Sequence, residues 1–293
     1  MVYAYVKEQN IFKYLTTILL YPTIRYIMAK KKISITIDGQ SLQGIDSIID
    51  NIYIRNRSQA IEHLVNNSLG ENKTAAILLG GEERHLKISE NEYRPTAIIQ
   101  RSSVIELAIK KLRENNFKTV FVIARHAILT KVFELLKDGS DHGVKITYIE
   151  EKNARGSAES LRLLKGRVSS DFLVVFGDII FGKIQIDELW QDHLRHNGVA
   201  TIMLTTSSTP SEKGTVKVEG TKVLAFAQKP KESDVYLVFS PIFMADPQIF
   251  DYNGASLELD VFPKLAEKGL LNGHLSSEKE VHIHSKKDAQ AYH

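Results

Sequence analysis

Ala75 to Leu86, Ala-Ala-Ile-Leu-Leu-Gly-Gly-Glu-Glu-Arg-His-Leu, holds the residues best placed to do chemistry. Five apolar residues followed by Gly80 and Gly81 describe a buried parallel strand ending in a tight turn. Open α/β sheets put their ligands at such turns. Glu82 and Glu83 then place two negative charges where backbone N–H groups would cradle a triphosphate, and like charges in a partly desolvated cleft repel strongly. Near the other end of the chain, His282 and His284 alternate and so share one face of an expected strand. That pair could bind a metal with Asp178, although polar side chains on an exposed terminal strand are the preferred reading.

Those residues need a frame to hold them. From Thr74 onward, strands expected at 74–79, 119–124, 145–149 and 172–176 alternate with helices expected at 104–115, 130–138 and 157–164. Such alternation implies an α/β fold with a mostly parallel sheet covered by helices on both faces. At 293 residues there is room for two domains, and 43% apolar with 25% charged residues is the composition of a globular protein. The absence of cysteine excludes disulfides, cysteine-based zinc sites and thiol catalysis, and an intracellular, cytoplasmic location fits best.

Residues 1–28 read as an extension, either flexible or a short amphipathic helix. Their apolar run is broken by Lys13, Pro22 and Arg25, short of the roughly 20 apolar residues a membrane span needs. The formal net charge of +3 sits entirely in residues 1–70, which hold 8 basic and 5 acidic side chains, against 30 of each in the remainder. A positive first quarter suits a polyanionic partner.

The stretch at Gly80 resembles the sugar-phosphate nucleotidyltransferase family, of the glucose-1-phosphate thymidylyltransferase and mannose-1-phosphate guanylyltransferase type, which opens with Gly-Gly-x-Gly-Thr-Arg-Leu and continues to Pro-Lys-Pro. Gly80, Gly81 and Leu86 match, whereas Glu83, Arg84 and His85 stand for the third glycine, the threonine and the catalytic arginine. Arg94-Pro95-Thr96-Ala97 occupies the Pro-Lys-Pro stretch, with Thr96 for the lysine. The resemblance implies a Rossmann-like fold over 74–293 and a Mg²⁺ site built from the aspartate of a strand-end Gly-Asp and a second aspartate near the C-terminus. Asp178 matches the first, while His282 replaces the second. It also carries ligand contacts onto Gly80, Gly81, Gly156 in Gly156-Ser157-Ala158, and Lys229 in Lys229-Pro230. Gln228 stands for a glutamate, and Phe239-Ser240-Pro241 adds bulk where the family has Asn-Ala-Gly beside the sugar. With these cations and carboxylates replaced, the resemblance implies the fold without the activity.

Residues 29–70 show a second pattern. Ile33, Ile35 and Ile37 alternate with Lys32, Ser34 and Thr36, the period of a strand with one buried face. Helices are expected at 40–52 and from Asn56, whose Gln59 three residues on suits a capping box. A strand and two helices in about 40 residues are too small to bury a core alone and should pair with a second copy. This piece resembles the ribbon-helix-helix DNA-binding family. The resemblance implies a dimer, base contacts from Lys32, Ser34 and Thr36, and phosphate contacts near Asn56, Arg57 and Ser58. An ordinary β-α-α connection is the bland alternative.

Residues 70–73 then form a linker between domains at 29–70 and 74–293. The expected protein is a DNA-binding transcription regulator. It would bind double-stranded DNA as a homodimer, or as a tetramer, with no membrane association. Its nucleotidyltransferase-like domain would have lost catalysis and serve as a sensor of a nucleotide or sugar phosphate, or as an oligomerisation module. No cofactor is then expected. The alternative is an active sugar-1-phosphate nucleotidyltransferase with a DNA-binding arm, which would need Mg²⁺. A pure assembly protein is a third reading.

Overall fold

The structure, a computed structural model, describes residues 33–49, 54–69, 73–81, 83–90, 92–153, 155–283 and 285–291. The chain forms two compact units, 1–57 and 58–293. The expected extension at 1–28, Lys32 and His284 lie outside the described residues.

In the first unit, helix α1 (Gly39–Ser47) begins where the Asp38 carboxylate accepts the N–H groups of Gln40 and Ser41 at 3.0 and 2.9 Å. It stops before the expected end at 52, where Ile48-Ile49-Asp50-Asn51 supplies β-branched and turn-forming residues. Residues 33–38, expected to pair across a dimer, have no strand partner among the described residues of the single chain; Ile33 is 74% exposed and Ile35 52%, alongside exposed Ser34 and Thr36, and Ile37 is half-buried. The Arg57 side chain forks onto Asp46 through Nε at 2.6 Å and Nη2 at 2.8 Å. Helix α2 (Arg57–Leu69) starts directly after Asn56, as its sequence implies.

The second unit is a nine-stranded sheet. Its strands are β1 (Lys73–Leu79), β2 (Phe117–Ala124), β3 (Lys145–Glu150), β4 (Phe172–Phe176), β5 (Ala200–Thr206), β6 (Gly214–Glu219), β7 (Lys222–Gln228), β8 (Leu237–Ala245) and β9 (Leu271–Leu275). Their order across the sheet is β5-β9-β7-β6-β8-β4-β1-β2-β3, with β5 also pairing to β8. The half containing β1 to β4 is parallel, and β8 joins it antiparallel to β4. Strand β1, at the centre of that half, is apolar on both faces because helices cover both.

On one face, Ile105, Ile109 and Leu112 of α3 (Val104–Glu114) and Ile128 and Val132 of α4 (His126–Leu136) pack on Ile77, Leu79 and Val122. Opposite them, Leu161 of α5 (Ser157–Leu161) and Phe262 and Leu265 of a C-terminal helix (Phe262–Glu267) pack with Phe243, Phe226 and Leu78. Phe243 and Phe262 meet edge-on at 5.3 Å. At the amino end of β1, buried Lys73 is satisfied by Asp187 at 2.7 Å and lies 4.9 Å above the Trp190 ring.

In the second unit the boundaries expected from sequence hold to within a few residues. The largest offset there is α4, which starts at His126 rather than 130 because Arg125 already directs its carbonyl to the Ile128 and Leu129 N–H groups. Helix α3 is set by a capping box: Ser103 Oγ accepts the Glu106 N–H at 3.3 Å, and the Glu106 carboxylate accepts the Ser103 N–H at 2.7 Å. Ser103→Ala should lower unfolding stability by about 1–2 kcal/mol in urea titration, and a change within a few tenths would show that packing alone holds the helix.

Candidate active site at the carboxyl edge of the parallel sheet

The turn after β1 is shaped by a carboxylate beneath it. Glu151, just past β3, is buried; it accepts the Gly81 N–H at 3.3 Å and the Ser160 hydroxyl proton. Arg125 Nε lies 3.8 Å from the same carboxylate and has no hydrogen-bond partner among the described residues. A Cβ at Gly80 would come within 2.6 Å of Ser160 Oγ and 2.8 Å of Glu151 Oε2, and Gly81 takes φ +104°. Both glycines are therefore required, one by space and one by backbone conformation. The sequence marks Glu151 only as an acidic residue at a strand end, 70 positions from the N–H group it receives.

Of the two acidic residues after the glycines, Glu82 is outside the described residues. Glu83 accepts the Tyr93 hydroxyl at 2.6 Å and pairs with Lys87 at 3.2 Å, and these contacts hold its carboxyl below the ordinary value. Burial, followed by the hydrogen bond to Glu83, pushes the Tyr93 phenol up to about 12. The repulsion expected from Glu83 is thus relieved within the protein.

Asp178 follows β4, and Arg94 Nη1 stands 3.1 Å from its Oδ2. Thr96, at the family's lysine position, bonds back to Tyr93, donating to its carbonyl at 3.0 Å and accepting its N–H at 3.3 Å. Strand Val281–His282 pairs with Ile179–Ile180, and the Ile283 N–H reaches the Asp178 carbonyl at 3.2 Å. His282 and Asp178 therefore lie on neighbouring segments, as the family pattern implies. A carboxylate lies two residues earlier than expected: Glu280 Oε1 is 3.1 Å from His282 Nε2, and Oε2 accepts from Ser240 at 2.7 Å. Burial would raise the Glu280 carboxyl, but hydrogen bonds from His282 and Ser240 outweigh it and hold it down at about 2.

These donors do not fit a divalent cation in this arrangement. Asp178 is bonded to a guanidinium and His282 to Glu280, and no group of three His, Asp or Glu side chains among the described residues could hold a metal.

The remaining expected contacts are placed as follows. Gly156 lies so close to Ala255 that a Cβ would sit 2.5 Å from its carbonyl oxygen. The N–H groups of Ala158 and Glu159 both point to that carbonyl, at 2.9 and 3.2 Å, and are taken within the protein. Ser157 Oγ donates to Glu258 at 2.7 Å. Lys229 is exposed at φ +46°, its N–H bonded to the Lys213 carbonyl at 2.9 Å, while Lys213 Nζ is 3.6 Å from Glu280. That chain of contacts links Lys229 to the Asp178 edge through His282. Ser240, expected as bulk beside a sugar, is buried against Glu280 instead.

A mixed sheet that gathers glycines, carboxylates and cations at the ends of its parallel strands is the architecture of an α/β nucleotide-binding domain. Residues 74–280 match the family described as Nucleotidyl transferase, and the chain belongs to it. It is 30% identical over 202 residues to probable mannose-1-phosphate guanylyltransferase 1 of Oryza sativa subsp. japonica, covering 66% of this chain and 56% of that protein. It is 29% identical over 178 residues to the low-salt glycan biosynthesis nucleotidyltransferase Agl11 of Haloferax volcanii, covering 60% and 50%. The chain thus spans about half the length of these curated relatives. A crystal structure of a putative glucose-1-phosphate thymidylyltransferase from Bacillus anthracis, in complex with a sucrose, shares the fold with a TM-score of 0.66 at 20% identity, over 75% of this chain and 94% of that one.

These findings correct the expectation of a DNA-binding transcription regulator whose second domain is a pseudoenzyme. The relatives are named as a mannose-1-phosphate guanylyltransferase and a glycan biosynthesis nucleotidyltransferase, so the expected double-stranded DNA partner falls with it. Among the described residues, no helix is long and apolar enough to cross a membrane.

Because Glu280 is depressed in the folded state, the stability it contributes is present above about pH 4.5 and lost as the pH falls toward 2. Glu280→Gln should flatten this acid limb by about 3 kcal/mol in urea titrations across that window, and an unchanged limb would show that its contacts do not depend on its charge.

Proposed function

We propose that the chain is a sugar-phosphate nucleotidyltransferase, joining a sugar 1-phosphate to the nucleotidyl group of a nucleoside triphosphate with release of pyrophosphate. The observation that carries this reading is the meeting of the Gly80-Gly81 turn, Asp178, Arg94 and His282 at one edge of the sheet, in a chain of this family. A phosphate oxygen of the sugar 1-phosphate attacks the α-phosphorus. The bond from that phosphorus to the β-phosphate oxygen breaks, and pyrophosphate leaves with the electron pair.

Phosphoryl-type transfers are accelerated chiefly by positioning and by cations on the developing charge. In this reading Gly80, Gly81 and Gly156 border the nucleotide, and Lys229 contacts the sugar phosphate. Arg94 holds the Asp178 carboxylate in place beside the transferred group. Glu151 keeps the turn in shape by occupying the Gly81 N–H. A cytoplasmic site of action goes with these substrates. The same reading divides the chain into 29–70, resembling a ribbon-helix-helix piece in its two successive helices, and 74–293, the transferase domain.

Pyrophosphate release should exceed background for at least one pairing of a nucleoside triphosphate with a sugar 1-phosphate. Asp178→Ala should lower that rate by about 100-fold or more. Lys229→Ala should raise KM for the sugar phosphate about tenfold with a smaller change in kcat. No release with any pairing would contradict the reading.

A further inference from the structure

The carboxylate that the family pattern gives to a divalent cation is already occupied by a cation belonging to the protein. Arg94 and Asp178 are held at 3.1 Å with only about a fifth of each side chain exposed, 21% and 19%. The planar guanidinium presents its donors to the carboxylate in a fixed fork. It is not loosely tethered. Pro95 beside it is buried, Thr96 closes the turn onto Tyr93, and the Tyr93 hydroxyl is bonded to Glu83 in the glycine turn. Arg94 Nε is buried with no partner among the described residues, so the guanidinium makes part of its bonding capacity at Asp178 and leaves part unused.

We propose that Arg94 is a built-in counter-cation for Asp178 that excludes a divalent metal from this carboxylate while the pair is closed. This deepens the reading of the site as a nucleotidyltransferase centre and rests on it. Mg²⁺ and Mn²⁺ bind carboxylates best where two or more negative groups converge and no other cation competes. Here the guanidinium cancels the first carboxylate, and Glu280 is turned toward His282. Arg94 is a positioning residue in this scheme, acting through Asp178. Its tie to Glu83 through Tyr93 connects it to the glycine turn, so a ligand that displaces Glu83 would loosen Arg94 as well.

The test is Mn²⁺ binding by the full chain without nucleotide or sugar, followed by electron paramagnetic resonance of free Mn²⁺. Arg94→Gln should bind Mn²⁺ at least tenfold more tightly than the wild type, and adding Asp178→Asn should abolish that gain. Arg94→Lys, which keeps the charge, should stay near the wild type. An unchanged or weaker affinity in a folded Arg94→Gln variant would overturn the proposal. Should that variant not fold, the unaltered Arg94 background decides. Wild type and Asp178→Asn should then bind Mn²⁺ alike, and a tenfold loss on Asp178→Asn would show the metal taking the carboxylate with Arg94 in place. Neither measurement requires turnover, so a failed pyrophosphate assay leaves this result standing.

Discussion

The carboxyl edge of the sheet depends on how closely β4 approaches β1. The Gly177 N–H continues the ladder onto the Leu78 carbonyl at 3.0 Å, and a Cβ at Gly177 would meet the Leu79 side chain at 2.5 Å and Ile77 at 2.7 Å. Only a residue without a side chain lets the two parallel strands stay paired to their ends. Asp178 is then delivered beside the turn that follows β1. Its carbonyl receives the Ile283 N–H and so brings in the C-terminal strand with His282 and Glu280. The site is built from segments far apart in sequence because this one approach brings them to a common edge.

Around that edge the protein balances charge locally. Glu83 is answered by Tyr93 and Lys87, Asp178 by Arg94, Glu280 by His282 and Ser240, and Glu151 by Ser160 and the Gly81 N–H. Buried or half-buried carboxylates are tolerated only when hydrogen bonds or counter-charges offset their desolvation, and each of these four has such partners. An edge that looks strongly acidic residue by residue is therefore close to neutral in contact terms. Arg125 and Arg94 each retain a buried nitrogen without a partner among the described residues.

Local pattern foretold the frame well and the chemistry poorly. Apolar runs such as Ala75–Leu79 and Phe172–Phe176 can be only buried strands in an alternating chain, and they are. Strict alternation at Ile33, Ile35 and Ile37 was a weaker sign, because a strand also needs a partner, and none is present for it among the described residues. Glu151 and Glu280 are illegible in the sequence because each has a partner 70 or 40 positions away, separations at which spacing carries no information. Loss of activity, the expectation that Glu83, Thr96 and His282 raise against the family pattern, is overturned by the names of the relatives. In the fold, Glu83 and Thr96 bond to Tyr93, and His282 to Glu280. Asp38 is a helix cap legible from its place before Gly39-Gln40-Ser41.

The central claim, that the carboxyl edge of β1 and β4 receives a nucleotide and a sugar phosphate, is tested most directly by hydrogen–deuterium exchange. Amide exchange would be followed across the full chain with and without each nucleoside triphosphate, alone and with sugar 1-phosphates. The claim requires slowed exchange in the peptides spanning 79–96 and 176–182, with the peptide around Lys229 responding to the sugar phosphate. No protection with any pairing, or protection confined to segments away from that edge, would contradict it.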